Sequence, residues 1–518
     1  MQNIADPITK ERRRIDVPSA IHIIACAAAA TWLMMHVGPA SAGLYEPLTQ
    51  PLVWRAIWCA AFVALALAVR WPVVGLLVLV CLHEGVPRYF PPHEVMLKTG
   101  MMNWASALAA TAWACHLMRG RARGLEHHPG RVVQAGQPHA SGTALPGSSS
   151  GTALPGRCSM NLALPNQPVS WLMLALIVWV IVCLFAALLR GQPWCPAVHH
   201  HPDRFAHALV AFVLAAQLLR TSRHAWWFCL VFCVSLCARA FLYGDIGPTP
   251  QFGGGDSDIS AMAVIAMPFA LLGAHLTRAR WGKIAFLGVL LALLLILNET
   301  RNRGAAVAFL LMLAALWFVS HHRKRALLIA APVLAVIIIL FFTSPYWTRF
   351  TNIYANTLDG QTVNTRLIVW QASWRMTQAH PLFGVGPGAF QRVADLYLPG
   401  VDELWQLSPT KVPAEFRDQP LPAAHNSLLH MTSETGLLGG AIYLGVFVWA
   451  MVMAVKIRRR AAPAWPAPAA SMVFAALCAY LAISLFLSRH DMLTAYLLAG
   501  WVAGIGRGEG NAKCKACK

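Results

Sequence analysis

Apolar runs of about 15–22 residues recur along almost the whole chain, broken by short polar stretches. Each run is near the length that crosses a bilayer as a helix. The pattern predicts spanning helices near 20–38, 51–69, 72–90, 101–118, 169–189, 205–220, 225–243, 258–276, 283–298, 304–320, 326–342, 430–455, 468–487 and 491–506. The expected fold is an all-α polytopic integral membrane protein with about 14 transmembrane helices, counting 12–14. One large, partly helical loop lies between two of them.

Basic residues supply an independent check on topology. With the N-terminus inside and the spans alternating, the clusters "RGRARG", "RTSRH", "TRARWGK", "HHRKR" and "KIRRR" all fall in cytoplasmic segments. "KERRR" before the first run reads as a cytoplasmic start, and no cleavable signal pattern precedes it. The expected arrangement is therefore a multi-pass membrane protein with both termini cytoplasmic.

The polar stretches divide the chain into parts. Residues 1–118 hold the first four spans. Residues 119–168 contain "SGTALPG" twice, at Ser141–Gly147 and Ser150–Gly156, and read as a disordered cytoplasmic linker. Residues 169–342 hold spans five to eleven, 425–506 the last three, and 507–518 a cytoplasmic tail. Residues 343–424 fall on the periplasmic side and differ from the linker. They carry "NTRLIVWQASWRMTQAH" at helical spacing, with Asn364 or Thr365 as a candidate N-cap, and then the Gly/Pro cluster "PLFGVGPGAF". Six basic and six acidic residues make this loop mixed in charge. A folded loop of this length is expected to be functional.

Composition agrees. Of 518 residues, 57% are hydrophobic and 12% charged, and the mean hydropathy is +0.54. The net charge of +20 does not signal nucleic-acid binding, because the cations sit in loops between spans. The 13 cysteines lie mostly within apolar runs, where they act as small apolar residues. Cys514 and Cys517 form a CxxC with no second pair, and read as a reduced tail rather than a zinc site. "HHHP" at His199–Pro202 has no partner motif either.

Several polar residues stand where the topology puts them at the periplasmic face. His425 ends the long loop at the start of a helix and can act as a base, or can simply solvate the helix end. Glu434, nine residues on, reads as a structural hydrogen-bond partner on roughly the opposite side of that helix. Gly436, Gly439 and Gly440 would let another helix approach. Arg301 and Arg303 open a span on the side where basic residues are scarce. They suit phosphate oxygens, or snorkelling to lipid headgroups. Arg366 lies in the loop helix. Asp256 and Asp258, after a Gly-rich turn, could bind a sugar or a cation, or cap the following helix. Together these groups suit an anionic, membrane-borne substrate and a transfer reaction.

"HNSLLHMTSETGLLG" fits the H-[NSQ]-x9-G-x-x-[GTY] pattern of the O-antigen ligase family, through His425, Asn426, Gly436 and Gly439. "NTRLIVW" with "HPLFGVGPGAF" resembles the Arg-bearing periplasmic loop of the O-antigen ligase and polymerase superfamily. "FGGGDSD" and "NETRNRG" resemble its other motifs. In the last, Asn302 stands where Ser is usual, so either Arg301 or Arg303 is the matching residue. The resemblance covers about 240–500. It implies transfer of a glycan from undecaprenyl pyrophosphate to a hydroxyl acceptor, such as lipid A–core, with no metal or other cofactor. It further implies that His425 is the base, that Arg366 with Arg303 or Arg301 holds the pyrophosphate, and that Asn426, Glu434 and Asp258 support them. Polymerases and protein O-oligosaccharyltransferases share the scaffold. A lipid-linked glycan transporter is the rival from another class, but the charged candidates sit at one face rather than mid-span, and no internal repeat of the transporter kind is visible.

Overall fold

The structure, a computed structural model, describes residue 22 and residues 60–61, 63–85, 105–118, 167–191, 203–242, 255–300, 302–320, 357–398, 423–461, 465–488 and 492–516. The expected spans at 20–38 (apart from residue 22) and 326–342, nearly all of the 119–168 linker, Arg301, His199–Pro202 and, within the 343–424 loop, residues 343–356 and 399–422 lie outside the described residues, and 51–69 does so in part.

Among the described residues all regular structure is helical. The helices are α1 (Pro72–Gly85), α2 (Ala105–Met118), α3 (Pro168–Leu189), α4 (Asp203–Leu218), α5 (Ser222–Leu242), α6 (Gly255–Leu276), α7 (Arg280–Thr300), α8 (Arg303–Val319), α9 (Thr357–Ala379), α10 (Ser427–Ala461), α11 (Pro466–Ser484) and α12 (Leu493–Ala516). A short turn, Phe390–Val393, runs into a 3-10 turn, Ala394–Tyr397. Five helices are long and apolar enough to cross a membrane: α3, α6 (over Ile259–Leu276), α7, α10 and α11. Shorter apolar helices accompany them at α1, α2, α4, α8 and α12.

These helices differ in how they meet their surroundings. Trp171, Val178, Ile181, Phe185 and Leu189 of α3 point outward, as a lipid-facing helix requires. Central α6 is apolar on all sides, and Phe269 stacks there on Trp501 of α12 with Phe228 and Phe232 edge-on to it. Gly500 and Gly504 of α12 bring that helix onto the backbone of α4. A Cβ at either would meet the carbonyl oxygens of Phe212 or Ala216 within 2.3 Å. Small residues four apart are the usual means of such close approach.

Two boundaries differ from expectation. Helix α9 starts at Thr357, so Asn364 and Thr365 lie inside it rather than at its cap. Polar Thr and Asn tolerate a helix interior when their side chains face outward or bond back along it. Helix α6 starts at Gly255, which puts Asp256 and Asp258 within its first turn rather than at the cap position. Acidic residues are favoured there by the helix dipole.

One end of the bundle is assembled with care. Helix α10 packs against α3, α9, α11 and α12, and α8 packs against α11. Ser427 donates to the Leu487 carbonyl at 2.8 Å, and Asn426 Nδ2 to the Leu485 carbonyl at 3.4 Å. Gly304 of α8 packs on Phe486. The starts of α8 and α10 therefore share one end with the finish of α11. A satellite core of Val369, Met376, Val385, Ala389, Phe390, Ala394 and Ala424 ties α9 and its following loop to the residue just before His425.

Candidate active site

His425 sits in the two-residue turn that leads into α10, half-buried, with φ +50. That left-handed backbone is uncommon outside glycine, though His visits it more than most residues. Strain of this kind persists only where neighbours over-determine it, and it gathers at functional positions. Asn426 is the N-cap of α10. Its Oδ1 accepts from the Leu428 and Leu429 amides at 3.0 Å each. Asn426 therefore supports the helix start and fixes the chain on the far side of His425.

Arg366 lies on α9, half-buried, and Arg303 is the first residue of α8. Asn302 caps α8, with Oδ1 accepting from Ala305 N–H at 3.1 Å. Ser would cap equally well, which explains why Asn is acceptable at this position. Arg366 is held below the usual Arg range, first by burial and then by the positive charge of Arg303. His425 is pushed down from 6.5 to about 4, first by burial, then by Arg366, then by His430. Arg303, Arg366, His425 and His430 thus share one electrostatic neighbourhood, although they come from three separate helices. Neutral imidazole can accept a proton, and two guanidinium groups suit an anion with several oxygens.

Glu434 is almost fully buried. Its Oε1 lies 3.3 Å from His430 Nε2 and accepts from the Phe390 amide at 3.2 Å. The wheel argument that set Glu434 opposite His425 does not apply, since His425 precedes the helix and turns out of its path. The expectation of a hydrogen-bond partner does match this geometry. Asp258 is placed in the first turn of α6, and its side chain lies outside the described residues, as does Arg301. Among the described residues no group of three or more His, Cys, Asp or Glu side chains is arranged to hold a metal.

Helix α10 is broken at Gly436, where φ is 75 and ψ 177. The break frees the carbonyls of Ser433, Glu434 and Thr435 from their usual partners. Each finds another. Val385 N–H donates to Ser433 O at 2.9 Å, and Gly386 N–H to Glu434 O at 3.0 Å. Trp179 Nε1 of α3 donates to Thr435 O at 2.9 Å. The freed Leu437 N–H donates to Pro381 O at 2.9 Å. The Pro381–Gly386 loop is thereby threaded into the broken helix and, with Trp179, partners these four freed backbone groups. Arg190 holds the loop from outside, with Nη2 on the Gly384 carbonyl at 2.9 Å. Phe383 stacks on Trp179 at 5.6 Å. Gly436 therefore serves a helix break, whereas Gly439 faces Trp179 of α3 as a close helix approach would.

Sequence reasoning missed His430, Phe390 and Trp179. His430 and Glu434 were visible as a His/Glu pair four residues apart on one helix face. Nothing local announces the other two.

The fold and site define a multi-pass helical membrane protein with a cluster of Arg residues and a neutral His at one end. Residues 286–444 match the O-antigen ligase family. The matched stretch runs from Phe286 on α7 to Leu444 on α10 and contains Arg303, Arg366, His425 and Glu434. The chain thus carries a domain of the O-antigen ligase and polymerase superfamily, whose members are glycosyltransferase-like enzymes. No curated protein matches the chain.

Proposed function

We propose that this protein is an inverting glycosyltransferase of the bacterial inner membrane. It moves a glycan from undecaprenyl pyrophosphate to a hydroxyl of lipid A–core, as an O-antigen ligase. The observation that carries the reading is the shared neighbourhood of Arg303, Arg366 and neutral His425 at one end of the bundle. In this reading that end faces the periplasm, both termini are cytoplasmic, the fourteen-span order holds, and 343–424 is the periplasmic loop.

The chemistry follows from the groups. His425 takes the proton of the acceptor hydroxyl as its oxygen attacks the anomeric carbon. The bond from that carbon to the pyrophosphate oxygen breaks on the opposite face, so configuration inverts. The pyrophosphate leaves with its electron pair. Arg366 and Arg303 stabilise the charge as it develops, which is the largest usual contribution in a water-poor site. In this reading these residues supply the base and the positive charge that stabilises the leaving group, without a cofactor.

The test compares lipopolysaccharide, carrier-linked glycan and periplasmic glycoproteins in a deletion strain complemented with wild type or His425→Ala. Loss of polymer from lipid A–core, with long chains building up on the carrier, is expected in the deletion and in His425→Ala, with the variant still inserted in the membrane. A single repeat left on lipid A–core would mean a polymerase instead. A changed glycoprotein pool with normal lipopolysaccharide would mean protein glycosylation. If all three pools match wild type, transfer is the wrong class and transport takes its place.

A further inference from the structure

His425 needs its strained backbone held from both sides, and Asn426 holds only one. The residue before it, Ala424, is fully buried in the satellite core. Its N–H donates to Nδ1 of His430 at 3.3 Å. An imidazole nitrogen that accepts cannot carry a proton, so the neutral ring places its proton on Nε2. That edge faces Glu434 Oε1 at 3.3 Å. The same Oε1 accepts from the Phe390 amide, and the Phe390 ring lies on the His430 ring at 4.6 Å and 24°. The Nδ1 edge and a face of the His430 ring are therefore occupied, the Nε2 edge lies beside Glu434 without hydrogen-bond alignment, and the ring is fully buried. Its own amide donates to the Asn426 carbonyl, two residues beyond Ala424.

We propose that His430 is a positioning residue for His425. Its Nδ1 clamps the peptide leading into the left-handed turn, the Ala424 amide sets the ring's tautomer, and stacked Phe390 sets its tilt. The arrangement resembles a base held by an orienting group, with the difference that the clamp acts on backbone rather than on the imidazole of His425. The assignment rests on the transfer reading above for its catalytic consequence, but its structural content stands apart from it.

The variants His430→Asn and His430→Gln separate the two edges. Asn brings a carbonyl near the position of Nδ1, and Gln reaches toward that of Nε2. Both are measured as purified full-length protein in detergent, alongside His430→Phe. The donor is carrier-linked glycan extracted from the deletion strain, and the acceptor is its lipid A–core. His430→Asn is expected to keep most of kcat. His430→Gln and His430→Phe lose about a hundredfold in kcat with KM unchanged, as a misplaced base does. Hydrogen exchange of the peptide containing Ala424, followed by mass spectrometry, is expected to run about tenfold faster in Gln than in Asn. Gln equal to or better than Asn in kcat, or a loss carried by KM, overturns the positioning role. So does equal exchange at Ala424, whether or not the protein transfers glycan. An inactive wild type with the expected exchange difference would instead remove the transfer reading and leave the clamp standing. If His430→Phe does not fold, the Asn-to-Gln ranking decides alone.

Discussion

Gly436 and Leu382 are so close that a Cβ on Gly436 would stand 2.0 Å from the Leu382 carbonyl oxygen. The contact joins the broken helix that begins beside His425 to the loop that follows the helix of Arg366. The relation is reciprocal, because a Cβ on Gly384 would stand 2.2 Å from the Glu434 carbonyl carbon. The elements that carry His425 and Arg366, the proposed base and anion-binding residue, are thus set relative to each other by main chain rather than by long side chains, which gives a short and stiff linkage.

Replacing Gly436 with Ala meets that clash and also forces a side chain into a φ/ψ region nearly exclusive to glycine. The expected cost is about 2–5 kcal/mol, with transfer lost. Gly445→Ala on the same helix is the control, since its nearest neighbour would be Leu172 at an ordinary 3.7 Å. Thermal unfolding in detergent checks the pair. A Gly436→Ala protein as stable as Gly445→Ala would contradict the interlock.

With His425 as the proposed base, its depressed pKa is expected to set the acid limb of the transfer reaction. A base works unprotonated, so activity that an ordinary His would lose near pH 6.5 is kept below it and falls only as pH drops through about 4. That limb belongs to the free enzyme and is read in kcat/KM. Bound pyrophosphate offsets the Arg366 charge, so the limb in kcat lies higher. Stability has the same sign: the unfolded chain takes up this proton from pH 6.5 downward while the folded chain resists it. The contribution is present above pH 6.5 and lost as pH falls through about 4. In Arg366→Gln the normalised kcat/KM limb moves part of the way toward 6.5, because burial, the larger cause, remains. An unmoved limb would sever the link between the two residues.

Arg366 and Arg303 are expected to act on one anion. Arg366→Gln and Arg303→Gln each lower kcat/KM by about 100- to 1,000-fold, while Arg366→Lys falls between wild type and Gln because it keeps the charge and loses the fork. The double variant loses less than the product of the singles, since both serve the same group. Strict multiplicativity in a double-mutant cycle would place them on separate substrates.

Much of this was visible along the chain. Most described helices fall where the apolar runs predicted them, because a run of about twenty apolar residues has few alternatives once backbone groups must be satisfied internally. His425 and Arg303 stood out as polar groups at helix starts, and Arg366 as a charge in the loop helix. The Thr357 start of α9 and the Gly255 start of α6 were each misjudged by several residues, since Asn, Thr and Asp serve as caps and as helical residues alike.

By itself the sequence determined the class of protein, the apolar helices and the residues with chemistry to offer. Those properties are local, set by hydropathy, spacing and side-chain type. Only the tertiary structure decided that "SETGLLGG" is a broken helix rather than a continuous one, and that His430 faces Ala424 and Glu434. Gly436 alone reads as a small residue in a helix. The break is favourable because Val385, Gly386, Pro381 and Trp179, remote along the chain, arrive with the donors and acceptor it needs.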